Sequence, residues 1–137
     1  MADLLLLGRL IFGGFFLYNG IHHFTATPML AQYAAAKGVP MPEAAVICGG
    51  VLLLVGGLSI LLGLWPHLGA ACIILFLLFV TPAIHNFWTV ADPAQRANEM
   101  GHFTKNAALL GAGFMLFGIP TPWPHSVESR VRRRIGA

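Results

Sequence analysis

Apolar residues run in long stretches along this chain, and the polar residues collect between them instead of alternating with them. Four apolar stretches can be marked, at residues 4–24, 44–64, 68–88 and 103–119. The first three have the roughly 20 residues that a helix needs to cross a hydrocarbon core about 30 Å thick, and the fourth is near the lower limit. Each is read as a membrane-spanning helix. In the first, Arg9, Gly13, Phe16, Gly20 and His23 recur at spacings of four, three, four and three, which places them on one helical face. The arginine and histidine ends of that stripe lie roughly 21 Å apart at 1.5 Å per residue. In the second, Gly49, Gly56 and Gly63 repeat every seven residues with Gly50 and Gly57 beside them. This is a packing face, because lipid supplies no hydrophobic drive between helices and close backbone contact must replace it.

The punctuation between stretches predicts the connections. Thr27 and Pro28 read as cap and first helical position of a short helix closed by Gly38, with Met29, Leu30 and Tyr33 on the side that would lie in the membrane interface. Trp65 in the turn Leu64-Trp65-Pro66-His67 belongs at headgroup level. Pro82 deprives the Leu78 carbonyl of its usual partner, so the third span is expected to bend near its end. Asp92-Pro93-Ala94-Gln95 predicts a second short helix over residues 93–100. Prolines at 120, 122 and 124 stop the fourth span, Trp123 matches Trp65 as an anchor, and the tail from His125 is expected to be polar and partly disordered. The fold class is therefore all-α: an integral membrane four-helix bundle over residues 1–124, with short interfacial helices in its two outer loops, and a basic cytoplasmic tail over residues 125–137.

Composition agrees with the pattern. Of 137 residues, 57% are apolar and 9% charged, against roughly 25% charged in soluble domains, which excludes an ordinary soluble domain. The net charge of +3 comes mostly from Arg130, Arg132, Arg133 and Arg134. Such a cluster beside a membrane is a topology and lipid-headgroup signal, so lipid is an expected partner and nucleic acid is not. The positive-inside rule then puts both termini in the cytoplasm of a cell inner membrane, with Lys37, Arg96 and Lys105 on the outer side. The first span is kept as a retained helix, since Asp3 and Arg9 do not suit a signal peptide. Cys48 and Cys72 fall at different depths, too far apart for a disulfide, and no C-x-x-C is present. No nucleophile with a base, phosphate loop or carboxylate pair occurs within a span, so no catalytic residue is assigned and an independent hydrolase or transferase is not expected.

Placing the spans in a membrane gathers polar residues at one level. Asn19, His22, His23 and Glu43 fall at the outer ends of the first two spans, and His85, Asn86, His102, Lys105 and Asn106 at those of the last two. The simplest role for such residues is hydrogen bonding to neighbours or water at the interface. Three chemistries are open beside it. A quinone headgroup needs an amphipathic slot with a few hydrogen-bonding groups, which histidine, asparagine and lysine under Trp88 and Phe103 supply. Haem needs two facing histidines, His23 with His85 or His102. A divalent metal would draw on the same histidines with Glu43 or Glu99, without any H-x3-H spacing to mark it. His22 and His23 point about 100° apart, and the glycine stripe selects His23 for the bundle centre, leaving His22 toward the interface. His67 and His125 are at the opposite face and receive no role. Arg9 is a structural charge that snorkels to headgroups or bonds to carbonyls at a helix C-terminus.

R-L-x-x-G-x-x-F-x-x-x-G-x-x-H-F from Arg9 to Phe24, G-L-x-x-x-L-G from Gly57 to Gly63, H-N-F-W from His85 to Trp88 and K-N-x-A-L-L-G from Lys105 to Gly111 together resemble the DoxX family of membrane proteins. The resemblance implies a four-helix bundle and membership in redox-linked membrane assemblies, including the small membrane subunit of thiosulfate:quinone oxidoreductase. What it leads us to expect here is a subunit with protein partners in a quinone-associated complex, whether or not it is itself catalytic. A scaffold that docks a larger complex, or a haem-binding anchor, are the alternatives. Many members look to have an acid in the second span four positions before the glycine matching Gly57; here that position is Leu53, so no proton or ion role is carried over.

Overall fold

Backbone groups removed from water must find partners within the chain, and helices satisfy them locally. The computed structural model describes residues 1–136, and among them it is all helical, with no strand. Its helices are α1 (Ala2–Thr25), α2 (Thr27–Ala36), α3 (Pro42–Leu62), α4 (Pro66–Ile84), α5 (Pro93–Phe117) and α6 (Val127–Ile135), with a single 3-10 turn at Phe87–Thr89. Three segments are long and apolar enough to cross a membrane: Ala2–Thr25, Pro42–Leu62 and Pro66–Thr89. α5 is 25 residues long, but its first turns are polar.

α1 packs on α3, α3 on α4 and α4 on α5, while α2 lies against α3. Glycines decide how close these approaches are. A Cβ on Gly13 would sit 2.8 Å from the Leu61 nitrogen and 2.9 Å from the Gly57 oxygen, and one on Gly57 would sit 2.8 Å from the Gly13 oxygen. The two backbones touch there. On its other side α3 meets α4 at Gly56, where a Cβ would lie 2.6 Å from Ile73 and 3.1 Å from the Gly69 oxygen. The expected single glycine groove is thus two: Gly50 and Gly57 face α1, and Gly49 and Gly56 face α4. Phe16, Leu53, Ile60, Ala70, Ile73 and Leu77 fill the space between.

The stripe on α1 is buried from Arg9 through Gly13 and Phe16 to Gly20. Arg9, only 3% exposed, donates from Nε to the Ile60 oxygen at 3.1 Å and from Nη2 to the Leu61 oxygen at 2.9 Å. These carbonyls lie in the last turn of α3, where the Ile60 oxygen also accepts from the Gly63 N–H at 3.2 Å, and a cation there adds hydrogen bonds and suits the helix dipole. Nη1 donates to the Pro124 oxygen at 3.0 Å, which ties the proline-rich segment to the same point. Of the two expected roles, snorkelling and carbonyl bonding, the structure has the second.

Four expectations need correction. Trp123 is not an interfacial anchor: it is fully buried, donates to the Ile119 oxygen and lies beneath the Arg9 guanidinium, 5.8 Å from its ring centre, because Arg9 draws the proline segment inward. Residues 93–100 are not a separate helix but the first turns of α5. Only Gly101 interrupts that stretch, and a lone glycine costs about 1 kcal/mol, too little to end a packed helix. The tail is ordered as α6, capped by a reciprocal Ser126–Ser129 box. Thr27 does not cap α2; its hydroxyl donates back to the His23 oxygen at 2.7 Å, closing α1 onto α2. Cys48 and Cys72 are free thiols, as expected.

Gly57→Val should therefore lower the thermal midpoint of the detergent-purified protein sharply, at a cost of about 3 kcal/mol or more, since the new side chain meets backbone rather than a movable group. Gly111→Ala, at a position with open space, should leave it unchanged or slightly raised. Arg9→Lys keeps the charge but cannot serve three carbonyls in a fork, and should release the segment carrying Trp123 to limited proteolysis. Equal protection of wild type and Arg9→Lys would contradict this account.

Candidate functional site

At the opposite end of α1 from Arg9, three helix ends converge on one carboxylate. α4 contains Pro82 and closes at His85, after which the chain makes its 3-10 turn. α2 carries Tyr33 on its last turns and Lys37 at its C-cap. The unbroken start of α5 brings Glu99 between them.

Glu99 is 3% exposed. Its Oε1 accepts from the Tyr33 hydroxyl and from Lys37 Nζ at 3.2 Å, and its Oε2 accepts from His85 Nδ1 at 2.8 Å. Lys37 Nζ also donates to Asn86 Oδ1 at 3.2 Å. Burial alone would raise the Glu99 carboxyl, but hydrogen bonds from Tyr33, His85 and Lys37, with the charge of Lys37, outweigh it and hold the group down at about 2. Tyr33 moves the other way: burial, then its hydrogen bond to Glu99 and that residue's charge, push the phenol up to about 12. The His85 ring lies 5.0 Å from that of His102 with the planes 16° apart, and Lys105 Nζ donates to His102 Nδ1 at 3.4 Å. Phe87, Trp88 and Phe103 pack edge to face beside this group.

Below the carboxylate is a cavity of about 440 Å³. Its walls are largely apolar, with Phe15, Phe16, Val46, Leu53, Phe76 and Leu77 among them, and Asn19, His23, Tyr33, His85, Lys105 and Asn106 contribute its polar groups. His23 donates from Nδ1 to the Asn19 oxygen at 2.9 Å and sets its ring against Phe76, 5.6 Å between centres.

Of the residues singled out in the sequence, His23, His85, Lys105 and Asn106 meet at this cavity, His102 stacks behind His85, and Asn86 is held by Lys37. Two are elsewhere. His22 stacks on Tyr18, 6.5 Å away and off the cavity, because it sits 100° round the helix from His23. Glu43 is exposed in the first turn of α3, beside a shallow depression with Pro28 and Gln32. Sequence reasoning named Glu99 only as a metal donor and gave Tyr33 and Lys37 no site role. One signal was available for Glu99: with His102 and Asn106 it forms an i, i+3, i+7 face, the only acid on a helix face otherwise made of site candidates. No group of three or more His, Cys, Asp or Glu side chains is arranged to hold a metal ion among the described residues.

A DoxX family model matches residues 4–86, a stretch that takes in α1 through α4 and stops short of α5 and Glu99. No curated protein and no solved structure matches the chain.

The carboxylate cluster predicts how stability varies with pH. Folding lowers Glu99 from 4.5 to about 2, so its contribution is complete above pH 4.5 and disappears as the pH falls toward 2. Folding raises Tyr33 from 10.0 to about 12, so its contribution is complete below pH 10 and disappears as the pH rises toward 12. Thermal unfolding across pH should show a plateau between these limits, with an acid loss from Glu99 on the order of 3 kcal/mol. Glu99→Gln should lower the plateau and shrink the acid limb; an unaltered acid limb would show that the carboxylate is not held as described.

Proposed function

The chain belongs to the DoxX family, and on that footing we propose that it is a small integral-membrane subunit of a redox-linked complex, one that holds the headgroup of a lipid-soluble quinone at its histidine end. In this reading α1, α3, α4 and the part of α5 from residue 103 onward are the four spans of the bundle. The arginines of α6 keep both termini in the cytoplasm, and the cavity opens in the outer leaflet of the inner membrane.

The observation that carries the proposal is the cavity itself, apolar along its walls and polar where His23, His85, Lys105 and Asn106 meet. Bound amphiphiles are held in this way, with apolar burial supplying affinity and a few polar groups fixing the head. The walls also include Cys48 on α3 and Phe79 on α4, both exposed on the flank of the molecule, so an isoprenoid tail has a way out to lipid between those helices. The polar groups belong to a network that is already hydrogen-bonded, which keeps them positioned before a ligand arrives. No step of electron transfer is assigned to this chain, which supplies the binding surface while a partner subunit supplies the electrons. A purely scaffolding subunit would have no need of the polar end of the cavity.

Titration of a short-chain benzoquinone into the protein in nanodiscs should give saturable binding. Cys48→Trp, which places an indole at the tail's exit, and His85→Ala, which removes a headgroup contact, should each weaken it by about tenfold or more, equivalent to about 1.4 kcal/mol. Failure of the wild type to bind, or indifference to both substitutions, would remove the proposal.

A further inference from the structure

The two imidazoles on the cavity are both anchored through Nδ1, and both anchors are acceptors. His85 Nδ1 faces Glu99 Oε2 at 2.8 Å, and His23 Nδ1 faces the main-chain oxygen of Asn19 at 2.9 Å. An ionised carboxylate and a peptide carbonyl have no hydrogen to give, so each Nδ1 carries one. A neutral imidazole has only one N–H, which leaves Nε2 of both rings as a bare lone pair.

Charge balance keeps both rings neutral. The single negative charge of Glu99 is already met by the ammonium of Lys37 at 3.2 Å, so a protonated His85 would add an uncompensated cation beside Lys37 and Lys105. His23 has no carboxylate against it among the described residues, and its ring rests on Phe76. An unpaired charge in such surroundings is costly.

On the reading that this cavity holds a quinone-type headgroup, we infer that it selects the hydroquinone over the quinone. A quinone presents two carbonyl oxygens with lone pairs and no hydrogen, so at His23 or His85 lone pair meets lone pair. A hydroquinone presents two O–H groups, each able to donate to an imidazole Nε2. The cavity does contain donors, the Asn106 amide and the two hydrogens that Lys105 Nζ keeps after donating one to His102 Nδ1 at 3.4 Å, but both imidazoles on its wall offer a headgroup only acceptors. The ligand class is therefore a membrane-soluble aromatic diol, recognised by its hydroxyl hydrogens.

The experiment compares three ligands on the wild-type protein in nanodiscs under anaerobic conditions: a decyl benzoquinone, its hydroquinone, and the di-O-methyl ether of that hydroquinone. The hydroquinone should bind about tenfold more tightly than the quinone, which raises the two-electron midpoint potential of the bound couple by about 30 mV. The ether, which keeps the shape and loses the hydrogens, should bind no better than the quinone. In nitrogen NMR of ring-labelled protein, the Nε2 resonances of His23 or His85 should move with the hydroquinone and stay in place with the ether. A quinone that binds as tightly as the hydroquinone, or an ether that matches it, overturns this inference and leaves the headgroup reading standing. If none of the three binds, the headgroup reading falls, and this inference with it.

Discussion

A carboxylate that is 3% exposed persists as an anion only if donors replace the water it has lost, and the histidine end of this protein is arranged around that requirement at Glu99. Its three donors come from two other helices, Tyr33 and Lys37 from α2 and His85 from the end of α4. Meeting the demand of one charge thus pins α2 over the bundle and holds the end of α4 beside α5. The worth of such a buried pair lies less in net stability than in registry, since removing one partner leaves a stranded charge while alternative packings cannot satisfy it at all. Here the registry fixed is the position of the His85 imidazole at the cavity wall.

The other end of the molecule faces the same problem with the opposite sign and solves it differently. Arg9 has no acid within reach among the described residues, and its guanidinium instead takes the carbonyls that close α3 and one from the proline segment. Between these two points the separation of the helices is set by glycines. Backbone meets backbone at Gly13 and Gly57, and α3 and α4 touch at Gly56 and Gly69. Nearer the histidine end Gly49 faces the ring of Phe76 and not backbone, and there the helices leave room for the cavity. Tight packing at one end and a polar network at the other are what allow an apolar hollow to exist between them without collapsing.

The chemistry open to the cavity follows from how its polar groups are supported. His85 and His23 are both held by acceptors, which settles which ring nitrogen carries hydrogen before any ligand is considered. His102 is held the other way, accepting from Lys105 at Nδ1, and it stands behind His85 and away from the cavity. Three histidines that look equivalent as letters are therefore two rings held through Nδ1 by acceptors and one held by a donor.

Much of this was legible in the sequence wherever a property repeats along one helix or depends on depth in a membrane. The apolar stretches, the buried stripe from Arg9 to Gly20 and the glycine-lined packing faces are of that kind, because 3.6-residue periodicity and span length are local quantities. The same reasoning grouped His23, His85, Lys105 and Asn106, which line one cavity. What the sequence did not disclose depends on residues far apart in the chain. Tyr33 and Lys37 reach Glu99 across 66 and 62 positions, and Arg9 reaches Pro124 across 115, which is why the carboxylate cluster and the burial of Trp123 were missed. Periodicity tells which face of a helix a side chain occupies, but a buried charge chooses its partners from whatever other helices bring within about 3 Å, and only the packed structure decides which those are.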